Sequence, residues 1–407
     1  MPKDFYHLKR ENNPLREDAF TLACLGKIHP ASSADFLRCR GYLSALIQDL
    51  RINQDTMQEQ VLIIGLTESG IIPALLMYIE TLERNLDTSI LYSTRRPLSG
   101  IAFKESHSHG PDHILPLPLL SPSLATYINT NIDTKSSSKI SKLYNSSIRR
   151  EPSPFKEIWI VEDEITSGNT VYNLMVQLSE HLEISRVRVF AFADFRNSEQ
   201  KSDFYLKTAQ HKIECTVHTL NVMSENPNPA SLGYNVNEKP NSTLLGSNVS
   251  DNFTGHNKYN SQISTFNGWH LPSKRPALAI KSGDFICSDL WRLPFDKISS
   301  EWRKSEELPE RTILAVGEAI DLAACLALSN DKIRFQQISL SPWQVDNRSI
   351  FSKISFAERY YLYNYENLKN RDLNPVFILC DPIDKDIEQE AVVKLGEHGI
   401  DVKPIFN

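Results

Sequence analysis

Ile158-Trp159-Ile160-Val161-Glu162-Asp163-Glu164-Ile165-Thr166-Ser167-Gly168-Asn169-Thr170 is the stretch on which the fold turns. Four apolar residues read as a buried strand that delivers acids at its carboxyl end, where open α/β sheets bind ligands. The next residues are small or hydroxylated, and VYNLMVQLSEHL then continues as an amphipathic helix. Upstream, VLIIG, LTESG and IIPALLMYIETL repeat the order of strand, turn and helix, and SILYS (residues 89–93) adds another strand. Downstream, VRVFAFADF reads as the last strand of this half. Alternation of this kind implies a mostly parallel sheet with helices on both faces. Residues 94–116, rich in Arg, His, Gly and Pro, read as a long functional loop, and residues 131–154 as mobile.

The quoted stretch also carries chemistry. A loop of Thr166, Ser167, Gly168, Asn169 and Thr170 opens a helix whose backbone N–H groups and dipole favour a phosphate. Glu162 and Asp163 beside such a cradle would be repulsive unless they hold hydroxyls or a cation. A phosphorylated sugar supplies both features.

Composition bounds the rest. The chain has 407 residues and a formal net charge of −6, which argues against a footprint for duplex DNA or anionic lipid. No apolar run approaches the roughly 20 residues of a membrane helix, and the charged start MPKDFYHLKREN does not read as a signal peptide. A cytoplasmic location is therefore expected. The six cysteines (Cys24, Cys39, Cys215, Cys287, Cys325, Cys380) lack the close pairs of zinc or redox sites and read as plain thiols. From about Met223 the composition shifts to Asn, Ser, Gly and Pro, too polar to offset the entropy of ordering. The expected organisation is an N-terminal segment (1–34), a first α/β domain (35–222), an Asn/Ser-rich linker or insertion (223–271) and a smaller α/β domain (272–407). In that last part RTILAVGEAIDLAACLALS reads as strand, turn and helix, while IRFQQISLSP and PVFILCD read as further strands.

The run from Ile158 to Thr170 resembles the phosphoribosyl-pyrophosphate (PRPP) motif of type I phosphoribosyltransferases, with Glu164 in a position where many members are apolar and Asn169 replacing a Gly. Gly65-Leu66-Thr67-Glu68-Ser69-Gly70 occupies the place of that family's pyrophosphate loop. Tyr92 to Arg96 and Glu105 to Gly110 occupy the place of its flexible catalytic loop. With Gln337-Ile338-Ser339-Leu340-Ser341-Pro342, the chain resembles the tellurite-resistance-associated members, whose second domain is named after Thr-Arg-Ser-Pro and here reads Ser-Leu-Ser-Pro. An acid at the position of Glu164 is typical of that subgroup.

The resemblance implies binding of Mg·PRPP and transfer of phosphoribose to a base-like nitrogen acceptor with release of pyrophosphate, in a homodimer or larger complex. It implies that Glu162 and Asp163 hold the ribose, and with PRPP the Mg2+, that residues 166–170 take the 5′-phosphate, and that Glu68, Ser69 and Gly70 line the pyrophosphate side. Arg95 and Arg96 would neutralise the departing pyrophosphate, since planar donors suit phosphate oxygens. Lys104, His107 and His109 complete a cationic loop, the histidines reading as pyrophosphate or substrate contacts, as part of a solvated loop, or as metal ligands short of partners. Asp194 and Arg196 follow a strand near the place where related folds contact the acceptor. Phe195 reads as core or as a stacking ring. In the second domain Glu318 and Ser341 each follow a strand and mark a second candidate pocket, Glu318 reading equally as a helix-capping carboxylate. Tyr360, Tyr361, Tyr363 and Asn364 are assigned to packing. Two other readings stay open on the sequence: a non-catalytic nucleotide or PRPP sensor or scaffold, and a stress or phage-defence effector acting on nucleotides.

Overall fold

The structure is a computed structural model that describes residues 4–11, 17–48, 60–84, 86, 88–95, 100–105, 112–116, 155–184, 186–220, 310–329, 331–369, 376–380 and 384–405. These fall into two compact units, one within residues 42–220, the other combining those up to 41 with those from 310 onward. The Asn-rich segment 223–271 and residues 131–154 lie outside the described residues. Among the described residues no helix is long and apolar enough to cross a membrane.

The chain opens with an antiparallel pair, β1 (Phe5–Lys9) and β2 (Asp18–Leu22), followed by α1 (Ser33–Gln48). Then come β3 (Gln60–Gly65), α2 (Ile71–Glu83), β4 (Thr88–Tyr92), β5 (Gly100–Phe103), β6 (His113–Pro116) and β7 (Phe155–Ile165). The first unit closes with α3 (Asn169–His181), β8 (Arg186–Asp194), α4 (Ser198–Gln210) and β9 (Glu214–Thr219). Its five-stranded sheet has the order β4-β3-β7-β8-β9 and is parallel throughout. Such strands are covered on both faces, which is why residues 61–64 of β3 and 158–161 of β7 read as unbroken apolar runs. Leu62, Ile64, Ile158 and Ile160 pack against Val171, Leu174, Met175 and Leu178, the i, i+3, i+4, i+7 face of α3. A reciprocal capping box between Asn197 and Gln200 starts α4.

Two expectations need correction here. Residues 94–116 are not a plain loop, because β5 and β6 pair antiparallel and bury Ile101, Phe103 and Leu115 against the core. And β8 is not the last strand: β9 adds a polar edge, half-exposed along its length, where Cys215 and Val217 touch the core and His218 stacks on the buried Phe190.

The second unit contains β10 (Arg311–Val316), α5 (Ile320–Ser329), β11 (Ile333–Ile338), β12 (Lys353–Phe356), β13 (Tyr360–Tyr363), β14 (Val376–Leu379), α6 (Lys385–Glu397) and β15 (Val402–Pro404). Its sheet, in the order β11-β10-β14-β15, is again parallel, and β12–β13 form an antiparallel hairpin. The N-terminal segment is built into this unit. Ala31 and Phe335 exchange both backbone hydrogen bonds, Gln337 N–H donates to the Gly26 carbonyl (2.9 Å), and Lys353 pairs with Glu11 (2.6 Å). Leu8, Ala19 and Ile28 share a core with Trp343, Ile350 and Tyr363. The tyrosine cluster does pack: the Tyr363 hydroxyl donates to the Ser341 carbonyl and accepts from Trp343 N–H, while the Asn364 amide ties Phe351, Ser352 and Ser349.

Inside the first sheet, the buried Glu157 carboxylate on β7 accepts from Arg186 and Arg188 of β8 and from the Trp159 indole. Burial pushes its carboxyl up, but the donors from Arg188, Trp159 and Arg186 outweigh burial and hold it below the usual carboxylate range. A carboxyl depressed in the folded state stabilises above its unfolded value and loses that contribution as pH falls through the folded one. Glu157→Gln is therefore expected to cost about 3 kcal/mol in urea unfolding near neutrality, since breaking a buried pair strands the arginines. The gap to wild type should narrow as pH drops below the ordinary value of 4.5. A gap constant with pH would show that the ion pairs carry none of it.

Candidate active site

The connectivity of the sheet fixes where a site can form. From β3 the chain crosses by α2 to β4 on one side, and from β7 it crosses by α3 to β8 on the other. Between the carboxyl ends of β3 and β7 the strand order reverses, and doubly wound sheets bind ligands in that crevice. The two loops that enter it are residues 66–70 after β3 and residues 166–168 after β7.

The first loop is clamped onto β7. Gly70 N–H donates to the Leu66 carbonyl (2.8 Å), and a Cβ on Gly70 would stand 2.7 Å from both Leu66 N and the Val161 carbonyl. Any larger residue would lift the loop away from the strand that bears the acids. Glu68 is buried at this turn, Ser69 is half-buried, and the Thr67–Glu68 peptide is cis. Thr67 N–H donates to Ser93 Oγ (2.9 Å), and the Thr67 hydroxyl to the Ser93 carbonyl. Ser93 Oγ in turn meets His113 Nδ1 (2.9 Å), and His113 Nε2 meets Glu105 Oε2 (3.2 Å), which also pairs with Arg95. His113 is 1 % exposed and stacked on Phe103. The relay joins the loop after β3 to the β5–β6 hairpin. Sequence reading missed His113, which looked like one more polar residue of a loop; the alternation in HILP was the signal.

β7 outruns β3. Gly65 pairs with Val161, and Glu162, Asp163, Glu164 and Ile165 project beyond it. Successive side chains of a strand face opposite sides, so Glu162 and Asp163 straddle the sheet edge. Asp163 is 5 % exposed and accepts the Glu164 N–H (2.9 Å), whereas Glu162 is half-buried. Gly168 then takes φ +81° as the residue before α3, with Thr166 and Ser167 half-buried, Asn169 exposed and Thr170 half-buried behind it. Ser167 Oγ accepts Asn169 N–H (3.3 Å), and Tyr172 N–H returns to the Gly168 carbonyl (2.9 Å).

Asp194 and Arg196 are turned onto each other. Arg196 Nε and Nη2 reach the two Asp194 oxygens at 2.9 and 3.0 Å, Lys201 adds 3.4 Å, and the guanidinium lies 4.8 Å from the Phe204 ring centre. This buried cluster supports the loop at Gly168: a Cβ there would meet Phe204 at 2.9 Å and the Arg196 side chain at 3.4 Å. Gly168 supplies a left-handed turn packed against a ring. Phe195 is half-buried. Lys104 is exposed, its carbonyl accepting from Asn173 Nδ2 of α3 (3.0 Å), and Arg95 is committed to Glu105. Arg96, His107 and His109 lie outside the described residues. In the second unit, β10 and β11 run in register with Val316 beside Ile338, which brings the turn at Glu318 near Ser339 to Ser341. The buried Lys27, supplied by the N-terminal segment and unseen in the sequence, reaches Ser341 Oγ at 3.4 Å.

Residues 6–224, more than half of the chain, match the family described as phosphoribosyl transferase. The chain belongs to the phosphoribosyl transferase family. No curated protein sequence matches it. Among solved structures it is similar to the adenine phosphoribosyltransferase of Trypanosoma brucei in complex with AMP, pyrophosphate, and ribose-5-phosphate (11 % identity; 53 % of this chain and 81 % of that one; TM-score 0.29). It is also similar to the adenine phosphoribosyltransferase of Leishmania tarentolae (9 %; 53 % and 83 %; TM-score 0.30) and to a hypoxanthine phosphoribosyltransferase of Staphylococcus aureus (13 %; 41 % and 67 %; TM-score 0.21). At identities and TM-scores this low, membership rests on the family match alone.

For this transferase the geometry at Gly168 makes a sharp prediction. Gly168→Ala should destabilise the first unit by about 1–3 kcal/mol through the positive φ and the Phe204 contact. In a Phe204→Ala background the extra cost should shrink toward that of the backbone alone. Equal costs in both backgrounds, measured by denaturant melts, would remove the ring contact from the account.

Proposed function

We propose that the first unit binds Mg·PRPP in the crevice between β3 and β7 and transfers its phosphoribosyl group to a base-like nitrogen acceptor, releasing pyrophosphate. The observation that carries this reading is the meeting, at the one switch point of the sheet, of the loop 66–70 with the acids and helix-opening loop of residues 162–170. Transfer passes through cationic character at the anomeric carbon, so rate depends on charge placed in advance and on fixed geometry. Glu162 and Asp163, approaching from the two faces of the sheet edge, would hold the ribose hydroxyls and favour the cationic ring. Backbone N–H groups at the start of α3, with the Thr166, Ser167 and Thr170 hydroxyls, would take the 5′-phosphate. Glu68, Ser69 and Gly70 would line the pyrophosphate side, with Arg95, Arg96, His107 and His109 as the cations that meet it.

Among the described residues no group of three or more His, Cys, Asp or Glu could hold a metal. Mg2+ keeps waters and takes only one or two carboxylates alongside substrate phosphates. Glu162 and Asp163 would be those carboxylates, and the ion would offset phosphate charge. Asp194 and Arg196, engaged with each other, are better suited to holding the phosphate loop than to meeting the acceptor. The likeness of the second unit to the Thr-Arg-Ser-Pro domain of tellurite-resistance-associated members belongs to the same proposal. So do a role in stress, a cytoplasmic location and a homodimeric or larger assembly.

Glu162→Gln and Asp163→Asn should melt like wild type but lower PRPP-dependent turnover by on the order of 100-fold each, the scale of losing one charge-stabilising group. Pyrophosphate release from Mg·PRPP with a panel of nucleobases reads this out. A double variant that turns over at the wild-type rate would sink the assignment.

A further inference from the structure

The second sheet repeats the construction of the first. From β10 the chain crosses by α5 to β11, and from β14 by α6 to β15, so the strand order β11-β10-β14-β15 has its own switch point between β10 and β14. Into its carboxyl end project the turn Gly317-Glu318 and the first turn of α5 with Asp321, both acids buried.

A side chain on β11, the strand that flanks β10 on the side away from β14, is unaccounted for. Gln337, near the end of β11, is 1 % exposed, yet neither its Oε1 nor its Nε2 has a hydrogen-bond partner among the described residues. Its neighbour Gln336, on the opposite face, donates to the Tyr363 carbonyl at 2.7 Å. The Gln337 backbone is tied to Gly26, so strand pairing fixes which way the side chain leaves. In register beside it is Ala315, two residues before Gly317 on β10. On that face β10 sets only a methyl group beside the carboxamide. Burying an amide with both ends unmatched costs free energy that a leucine of similar size would not.

We infer that Gln337 belongs to a second ligand site at this switch point, and that the site takes a nucleobase-bearing ligand. A carboxamide with both ends open is a coplanar donor and acceptor. It pairs in two-pronged fashion with a ring edge that presents an acceptor beside a donor, as adenine does with glutamine. Glu318 and Asp321 stand where the hydroxyls of an attached sugar would be received, the role that acids play at such crevices. The inference does not depend on the transfer reading of the first unit.

Gln337→Leu in the full chain tests it. With no ligand the variant should melt about 2 °C or more above wild type, because an unmatched polar group has been removed. Saturating adenosine should raise the melting temperature of wild type and of Asp163→Asn alike, but not that of Gln337→Leu, and ribose alone should shift none of them. Gln337→Met, unbranched and of similar length, should behave as the Leu variant does. If both variants melt below wild type the amide is structural, and the site is overturned. It is equally overturned if Gln337→Leu keeps the adenosine response, if wild type gives none, or if ribose reproduces it.

Discussion

The backbone contact of Gly70 with the Val161 carbonyl governs the first unit. Because nothing larger than hydrogen fits between them, the loop after β3 lies against β7 at the point where β7 outruns β3 and continues, paired with β8 alone, through Glu162, Asp163 and Glu164. Acids and the turn that opens α3 are thereby brought to one crevice, and under the proposed function a ligand with both hydroxyls and phosphates would reconcile them. The relay from Thr67 through Ser93 and His113 to Glu105 ties the same loop to the β5–β6 hairpin. On the other flank, Asp194, Arg196 and Phe204 hold Gly168 in its left-handed turn. The crevice is thus held at its floor and on two sides by buried contacts, which suits chemistry that depends on fixed charge.

Both units solve the same problem in the same way. Each has a parallel sheet whose order reverses once, and each places a Glu in the turn after the strand that starts the reversal, Glu68 after β3 and Glu318 after β10. The N-terminal residues belong to the second of these sheets through Gly26 and Ala31. A cut near residue 222 would therefore leave β1 and β2 without Phe335, Trp343 and Tyr363, and truncation is a poor way to isolate the first unit.

What was legible in the sequence was whatever is written in contiguous residues. The strands around Ile63, Ile160 and Phe190 are unbroken apolar runs, and the acids and small residues from Glu162 to Thr170 follow one another directly. Strands that share burial with solvent were harder to see. The edge strand β9 is polar, and β5 and β6 are four residues each inside a stretch of Arg, His and Gly. The rest was not local. His113 acquires meaning through Ser93 and Glu105, Lys27 through Ser341, and Gln337 through the lack of any partner once Gly26 fixes its strand. Gly168 likewise stands in the motif, but its packing against Phe204 is visible only in the fold.

The central claim is that two loops on adjacent strands close on one phosphorylated sugar. Amide hydrogen exchange with and without Mg·PRPP tests it most directly, because the amides of both loops are read in a single experiment. The account predicts that peptides covering residues 65–71 and 162–172 gain protection together, over the same PRPP concentrations, while those of β10 and β11 do not change. Protection of one loop without the other, or of the second sheet instead, would contradict it.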